Sequence, residues 1–290
     1  MQFTRKTGLL GLALGAIAAI LWPLAARADS AASWTEIAFP IAVDEVVVAP
    51  TDPVVAYAST DAGVYRSADG GRTWLPTGAL GQPPRGEQVV GIVVDPRSAN
   101  TVYASTTQYG VYKSEDGGRT WIQLRGRGGV APFSFSRIVV SVADPNVLFG
   151  AGDQRARVHG LFRSTDGGRS WTKVGPDFFP ATEIAIAPND PNTLYVSLNS
   201  QAGLPYFDFV KTTDGGDTWT SLARSGSASA GLPRNPVVYG IWIDPALPEA
   251  VFIATDLGVY ISTDAGASWK RAASGLPESA ITSSIAPDPA

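Results

Sequence analysis

Short apolar runs of three to six residues, rich in Val, Ile, Tyr and Phe, alternate along most of this chain with clusters of Gly, Pro, Asn and Asp. Such runs between turn-forming clusters predict β-strands joined by tight connections. The runs recur in a fixed order. A first run (Val46 to Val48, Ile92 to Val94, Ile138 to Val140, Ile184 to Ile186, Ile241 to Ile243) precedes a Pro-rich turn and a second run carrying Tyr57, Tyr103, Phe149, Tyr195 or Phe252. A third follows, beginning Gly63-Val64-Tyr65 in the first unit and Gly258-Val259-Tyr260 in the last, and a Trp opens a fourth. Each unit therefore predicts a four-stranded antiparallel sheet. No segment after residue 28 shows the apolar periodicity of a helix.

Between the third and fourth runs stands a repeated box, first as Ser67-Ala68-Asp69-Gly70-Gly71-Arg72-Thr73-Trp74. It returns as Ser114 to Trp121, Ser164 to Trp171, Thr212 to Trp219 and Ser262 to Trp269. Its aspartates, Asp69, Asp116, Asp166, Asp214 and Asp264, are 47, 50, 48 and 50 residues apart, and each is followed five positions later by Trp74, Trp121, Trp171, Trp219 or Trp269. A period of 40 to 50 residues points to propellers or solenoids. A small sheet cannot bury both faces alone, so successive sheets pack radially as blades. Within the box, the Asp is expected to accept hydrogen bonds from backbone N–H groups about two residues on. Asp264-Ala265-Gly266 departs from the pattern at the first Gly only, which makes the second Gly the expected positive-φ position. The Trp is expected to fill the space beneath the turn.

The pattern S/T-x-D-x-G-x-x-W resembles the Asp-box, or bacterial neuraminidase repeat, of sialidases, sortilin-type receptors, xyloglucanases and photosystem II assembly factors. The resemblance covers roughly residues 34–290 and implies an all-β protein, a β-propeller of five complete four-stranded Asp-box blades. Trp34-Thr35-Glu36-Ile37 matches a fourth strand, and Ser283-Ser284-Ile285-Ala286-Pro287 a first strand. Together they are expected to make a partial sixth blade from the N- and C-terminal strands, the alternative being an open ring with exposed strand edges.

Residues 1–28 read as a signal peptide. Arg5 and Lys6 start it, an uncharged stretch follows from Thr7 to Ala26, and Ala26-Arg27-Ala28 is a cleavage site before Asp29. The expected product is a secreted or periplasmic Asp-box propeller domain spanning residues 29–290, with no membrane attachment after cleavage. Losing Arg5, Lys6 and Arg27 and no acidic residue takes the net charge from −4 to −7. Such a body has no general attraction to nucleic acid or anionic lipid. The absence of Cys excludes disulfides, thiol nucleophiles and cysteine-ligated metals, and a single histidine, His159, removes most other metal sites. No cofactor and no metal are expected.

Strand parity puts every box on one face, and the connections after second and fourth strands on the other. Repetition in all five units gives the box aspartates and tryptophans a structural role, and they lack calcium-loop spacing. On the opposite face the units diverge. From the second-strand aromatic to the box Asp the spacing is 12, 13, 17, 19 and 12 residues. The extra residues include Asp153, Arg155, Arg157 and His159 in the third unit and Gln201, Tyr206, Phe207 and Asp208 in the fourth. Loops beyond the repeat minimum often carry function. The connection into the third unit adds Arg125, Arg127, Phe133 and Phe135, and Arg137 begins its innermost strand where the other units carry Glu45, Gly91, Glu183 and Gly240. Arg137, Arg155, Arg157, His159, Asp153, Glu183, Tyr206 and Phe207 are the candidate ligand-binding residues. Guanidinium groups suit bidentate recognition of carboxylate, sulfate or phosphate. Solvated surface arginines and locally packed aromatics are the alternative account of the same residues.

Two function classes follow. One is an exported non-catalytic binding or assembly protein that recognises a glycan, peptide or protein partner, an anionic ligand among them, through its loop face. The other, implied by the sialidase resemblance, is a glycoside hydrolase, with Arg137, Arg155 or Arg157, and Arg234 on a carboxylate and Tyr239, Glu183 and Asp153 as its chemical groups. That family's Phe-Arg-Ile-Pro motif is absent ahead of the first box; Phe135-Ser136-Arg137-Ile138 is a partial echo inside the third unit. The xyloglucanase resemblance implies a cleft between two larger propellers, which one small propeller does not form. No G-x-S-x-G elbow, H-E-x-x-H motif or phosphate loop is present. The reading adopted is the non-catalytic one.

Overall fold

The structure is a computed structural model that describes residues 39, 42–78, 88–107, 109–124, 135–152, 160–175, 181–198, 208–223, 231–233 and 236–272. Its twenty strands form five four-stranded antiparallel sheets, each in simple sequential order. Blade 1 comprises β1 (Val43–Ala49), β2 (Asp52–Thr60), β3 (Gly63–Ser67) and β4 (Leu75–Pro76). Blade 2 has β5 (Val89–Val94), β6 (Val102–Thr106), β7 (Gly110–Ser114) and β8 (Ile122–Gln123). Blade 3 has β9 (Phe135–Val140), β10 (Leu148–Gly152), β11 (Leu161–Ser164) and β12 (Thr172–Val174). Blade 4 has β13 (Ala181–Ile186), β14 (Leu194–Leu198), β15 (Asp208–Thr212) and β16 (Thr220–Ser221). Blade 5 has β17 (Val238–Ile243), β18 (Val251–Thr255), β19 (Gly258–Ser262) and β20 (Lys270–Arg271).

First strands pack side by side, β1 on β5, β5 on β9, β9 on β13 and β13 on β17, so they form the inner wall of a five-bladed propeller. The two segments assigned to a partial sixth blade, 34–37 and 283–287, lie outside the described residues, as does the signal sequence 1–28.

The core lies between blades. A strand has two faces, and both are apolar in the middle strands: β6, β10 and β14 are buried at every residue. One face of each sheet meets the previous blade and the other meets the next. Val55, Tyr57 and Val64 of blade 1 pack against Val89, Ile92 and Tyr112 of blade 2. Tyr103 and Val111 meet Phe135, Ile138 and Phe162. Phe149 and Leu161 meet Ile184 and Val210, and Tyr195 and Phe209 meet Ile253, Tyr260 and Trp269. Burial of this kind stabilises by about 25 cal/mol per Å² of apolar surface removed from water.

Polar clamps reinforce the same seams at the box end. Tyr57 donates from its hydroxyl to the Ala99 carbonyl at 2.8 Å, and Tyr195 to the Ala265 carbonyl at 2.7 Å. Two third-strand cations cross at the same end: Arg163 donates to Asn192 Oδ1 at 2.6 Å and Lys211 to the Ala265 carbonyl at 2.9 Å. Blades 1, 3 and 4 are thus bolted to the turns of the blade that follows.

Candidate binding site on the axial face

The turns of the boxes decide which carboxylates are free. In blade 2 the Ser114 hydroxyl donates to Asp116 Oδ1 at 2.8 Å and accepts the Gly118 N–H at 2.8 Å. Asp116 Oδ1 also accepts the Thr120 N–H at 2.9 Å, and Oδ2 accepts the Thr120 hydroxyl at 2.6 Å. The same pattern holds for Asp69 with Ser67 and Thr73, Asp166 with Ser164 and Ser170, Asp214 with Thr212 and Thr218, and Asp264 with Ser262 and Ser268. The carboxylate therefore takes N–H bonds from four residues on. The amide two residues on goes to the Ser or Thr that opens the box, a correction to the sequence expectation. A Ser or Thr stands at both positions in every box, a signal present in the sequence and not used.

Both box glycines adopt positive φ, 74° at Gly117 and 86° at Gly118. The first position demands it as well as the second, since Ala265 is forced to φ 55° there. The box Trp is half-buried in four blades and buried only at Trp269. Its indole N–H caps the second Gly carbonyl in four boxes, at 2.9 Å from Trp74 to Gly71. Trp121 turns instead to Thr77 Oγ1 of the preceding blade at 3.3 Å.

These bonds set the carboxylates' acidity. The Thr73, Thr120 and Ser268 hydroxyls and amides hold Asp69, Asp116 and Asp264 down at about 2, and Thr218 holds Asp214 below the ordinary carboxylate range. A permanently ionised, hydrogen-bonded carboxylate is a turn fastener and a poor proton carrier. Beside two of them runs a groove of about 610 Å³ between the first and second boxes, lined by Arg66, Asp69, Asn100, Asp116 and Arg119 among others. It is on the box side and away from the face with the variable loops.

The opposite face is organised by bulges. Every first strand changes register one residue before Glu45, Gly91, Arg137, Glu183 or Gly240, which pair with Ser59, Ser105, Ala151, Ser197 and Ala254. A bulge re-aims a side chain and bends the strand. Repeated at the same end of five inner strands, it gathers five positions around one mouth. Three of them are charged, and they meet. Arg137 in blade 3 reaches Glu45 Oε1 in blade 1 at 3.2 Å and Glu183 Oε2 in blade 4 at 3.0 Å. Glu45 Oε2 also accepts the Ile92 N–H of blade 2 at 3.2 Å. The matching position of blade 2 is Gly91, where a Cβ would lie in ordinary van der Waals contact with the Ser136 carbonyl oxygen at 3.4 Å and Arg137 Cα at 3.7 Å.

Burial pushes the Glu183 carboxyl up to about 7; Arg137 pulls it down and Glu45 raises it further. Glu183 is the most enclosed of the three, with its side chain 18% exposed against 28% for Glu45 and 37% for Arg137. The cluster is neutral with Glu183 protonated and carries one negative charge with it ionised. Among the described residues it is an ion network at the axis.

Of the candidate ligand-binding residues, Arg137 and Glu183 are brought together and Glu45 joins them. Asp153, Arg155, Arg157, His159, Tyr206 and Phe207 lie outside the described residues, as do Arg125, Arg127, Phe133, Gln201 and Arg234. Asp208 is half-buried in β15 and accepts the Ser221 hydroxyl at 2.7 Å. Tyr239, the extra residue of the fifth bulge, is 40% exposed. Among the described residues, no group of three or more His, Asp or Glu side chains could hold a metal ion.

The family model for Sortilin-Vps10 (sortilin, neurotensin receptor 3) matches residues 62–175, the stretch containing the first three boxes and less than half of the chain. A search of characterised proteins finds no match. Among solved structures, the GH74 enzyme of Niastella koreensis superposes with TM-score 0.58 at 19% identity, over 79% of this chain and 38% of its own. The GH74 xyloglucanase from Xanthomonas campestris gives 0.59 at 19% identity, over 80% and 38%. The Cps50 (Swd1) β-propeller domain from Myceliophteria thermophila gives 0.51 at 8% identity, over 79% and 67%. The chain thus spans about two fifths of the length of the GH74 enzymes it resembles, and at such identities the likeness is one of fold. With five four-stranded sheets and five boxes built alike, the chain is a β-propeller, similar to the Sortilin-Vps10 family over residues 62–175.

Proposed function

We propose that this protein is an exported, non-catalytic binding or assembly propeller that holds a glycan, peptide or protein partner on the face opposite its Asp boxes. The observation that carries the reading is the occupancy of its carboxylates. All five box aspartates are consumed by their own turns, and the two axial glutamates are bridged by Arg137. The connections that follow the second and fourth strands vary in sequence from blade to blade. Rigid sheets presenting variable loops suit recognition without chemistry. Arg155, Arg157, His159, Asp153, Tyr206 and Phe207 on those loops supply the contacts, and the arginines favour an anionic group.

One observation favours a second reading. Glu183, held near 7 beside Glu45, has the acidity of a general acid in a glycoside hydrolase. The two readings separate cleanly. Glycan and peptide arrays are expected to give a binding profile that the Arg155→Ala/Arg157→Ala double variant loses without a change in Tm. Fluorogenic sialosides and other glycosides are expected to show no turnover. Turnover that vanishes in Glu183→Gln establishes the hydrolase instead, and a profile untouched by the double variant removes these loops from recognition.

A further inference from the structure

The five blades are not equivalent at their faces. Val46 and Val48 of β1 are 52% and 54% exposed, whereas the matching Ile92 and Val94 of β5 are 2% and 5% exposed beneath blade 1. Val43 and Val54 on the same blade are exposed too. Among the described residues no strand contact like those between the other neighbours joins β17 to β1. The facing wall on blade 5 is also different in kind. Blades 1 to 4 present an aromatic on the second strand and a cation on the third, Tyr57 with Arg66, Tyr103 with Lys113, Phe149 with Arg163, Tyr195 with Lys211. Blade 5 presents Phe252 and Ile261 there, with the Trp242 ring tilted against that of Phe252, centroids 4.9 Å apart. A wall with neither cation nor tyrosine hydroxyl cannot clamp a following box. Two apolar walls therefore face the seam, and neither has the chemistry of a contact with the other.

Phe39 indicates what enters it. Its ring sits 5.3 Å from that of Tyr65 and 5.2 Å from that of Trp74, on the side of blade 1 that corresponds to the buried side of blade 2. In the other seams the residue three positions after the preceding box Trp fills this place: Thr77 and Leu124 pack at Trp121 and Trp171, Val174 and Leu222 at Trp219 and Trp269. The same count from Trp34 gives Ile37, two residues before Phe39. At the other end, Ile285-Ala286-Pro287 repeats Ile186-Ala187-Pro188 and Val48-Ala49-Pro50, the close of a first strand.

We propose that the chain's own ends fill this seam, with residues 280–287 forming an inner strand between Trp242 and the Val46–Val48 edge, and residues 34–37 lying outside it against Trp74. The occupant is intramolecular, since Phe39 of the same chain already packs against Tyr65 and Trp74. The protein contains no cysteine, so single cysteines in the full-length chain report cleanly. Val46→Cys and Val48→Cys are each expected to react with a maleimide about ten-fold or more slowly than Leu75→Cys, a reference on the same blade at a position 70% exposed. Adding Ile285→Asp is expected to abolish most of that protection while circular dichroism still shows the β-sheet signal. Labelling as fast as at position 75, unaffected by Ile285→Asp, overturns the proposal. Protection that disappears on dilution together with a dimer mass also overturns it, in favour of a second copy of the chain.

Discussion

At the scale of single residues, the box is a closed hydrogen-bond circuit in which the serine matters as much as the aspartate. Ser114 is buried and bridges the Gly118 amide to Asp116. Ser114→Ala leaves a buried N–H without an acceptor and is expected to cost about 1–3 kcal/mol in urea unfolding. The aspartates add a pH signature. Because their folded pKa values are lowered, to about 2 for Asp69, Asp116 and Asp264, their contribution is complete above the unfolded value of about 3.9 and is lost as pH falls through about 2. Thermal scans are expected to show Tm dropping between pH 4 and 2, with a shallower drop in Asp116→Asn. Equal slopes would separate the boxes from acid stability. The sequence displayed the aspartates by their period, while the circuit stayed hidden because spacing does not say which of several nearby amides a carboxylate will reach.

Elements bring a different balance, because each sheet is stable only against its neighbours. The half-buried box tryptophans belong to the seams between blades as much as to their own turns. Trp269, fully buried between blades 4 and 5, is expected to cost about 3–5 kcal/mol on truncation to Ala. The exposed Leu75→Ala should fall within about 0.5 kcal/mol of wild type. The first-strand bulges explain the axial cluster. Parallel positions in the repeat identified Glu45, Gly91, Arg137, Glu183 and Gly240 as one tier, and Arg137 with Glu183 as neighbours. Sequence could not show that Arg137 would also span blade 2 to Glu45, since the spacing of a repeat does not give the direction or reach of a side chain. Glu183 has its folded pKa raised to about 7 from an ordinary value near 4.3. The stability tied to its proton is complete below about 4.3 and is lost as pH rises through 7. Glu183→Gln is expected to flatten Tm between pH 4.5 and 7; an unchanged slope would mean the carboxyl titrates normally.

For the whole molecule, five copies of one supersecondary unit made the architecture readable, because propellers repeat their constraints and each box states the same turn. Individuality sits where the repeat breaks: in the loops carrying Arg155, Arg157, Tyr206 and Phe207, and at the seam between Trp242 and Val48. Those features have no second copy in the chain to be read against. The division of labour between the two faces is the central claim, and one paired measurement addresses it: array binding profile and Tm recorded together for Asp116→Ala and for Arg155→Ala/Arg157→Ala. The box variant is expected to keep the profile at a lower Tm, and the loop variant to lose the profile at an unchanged Tm. The reverse pattern, binding lost at the box with stability intact, would contradict it.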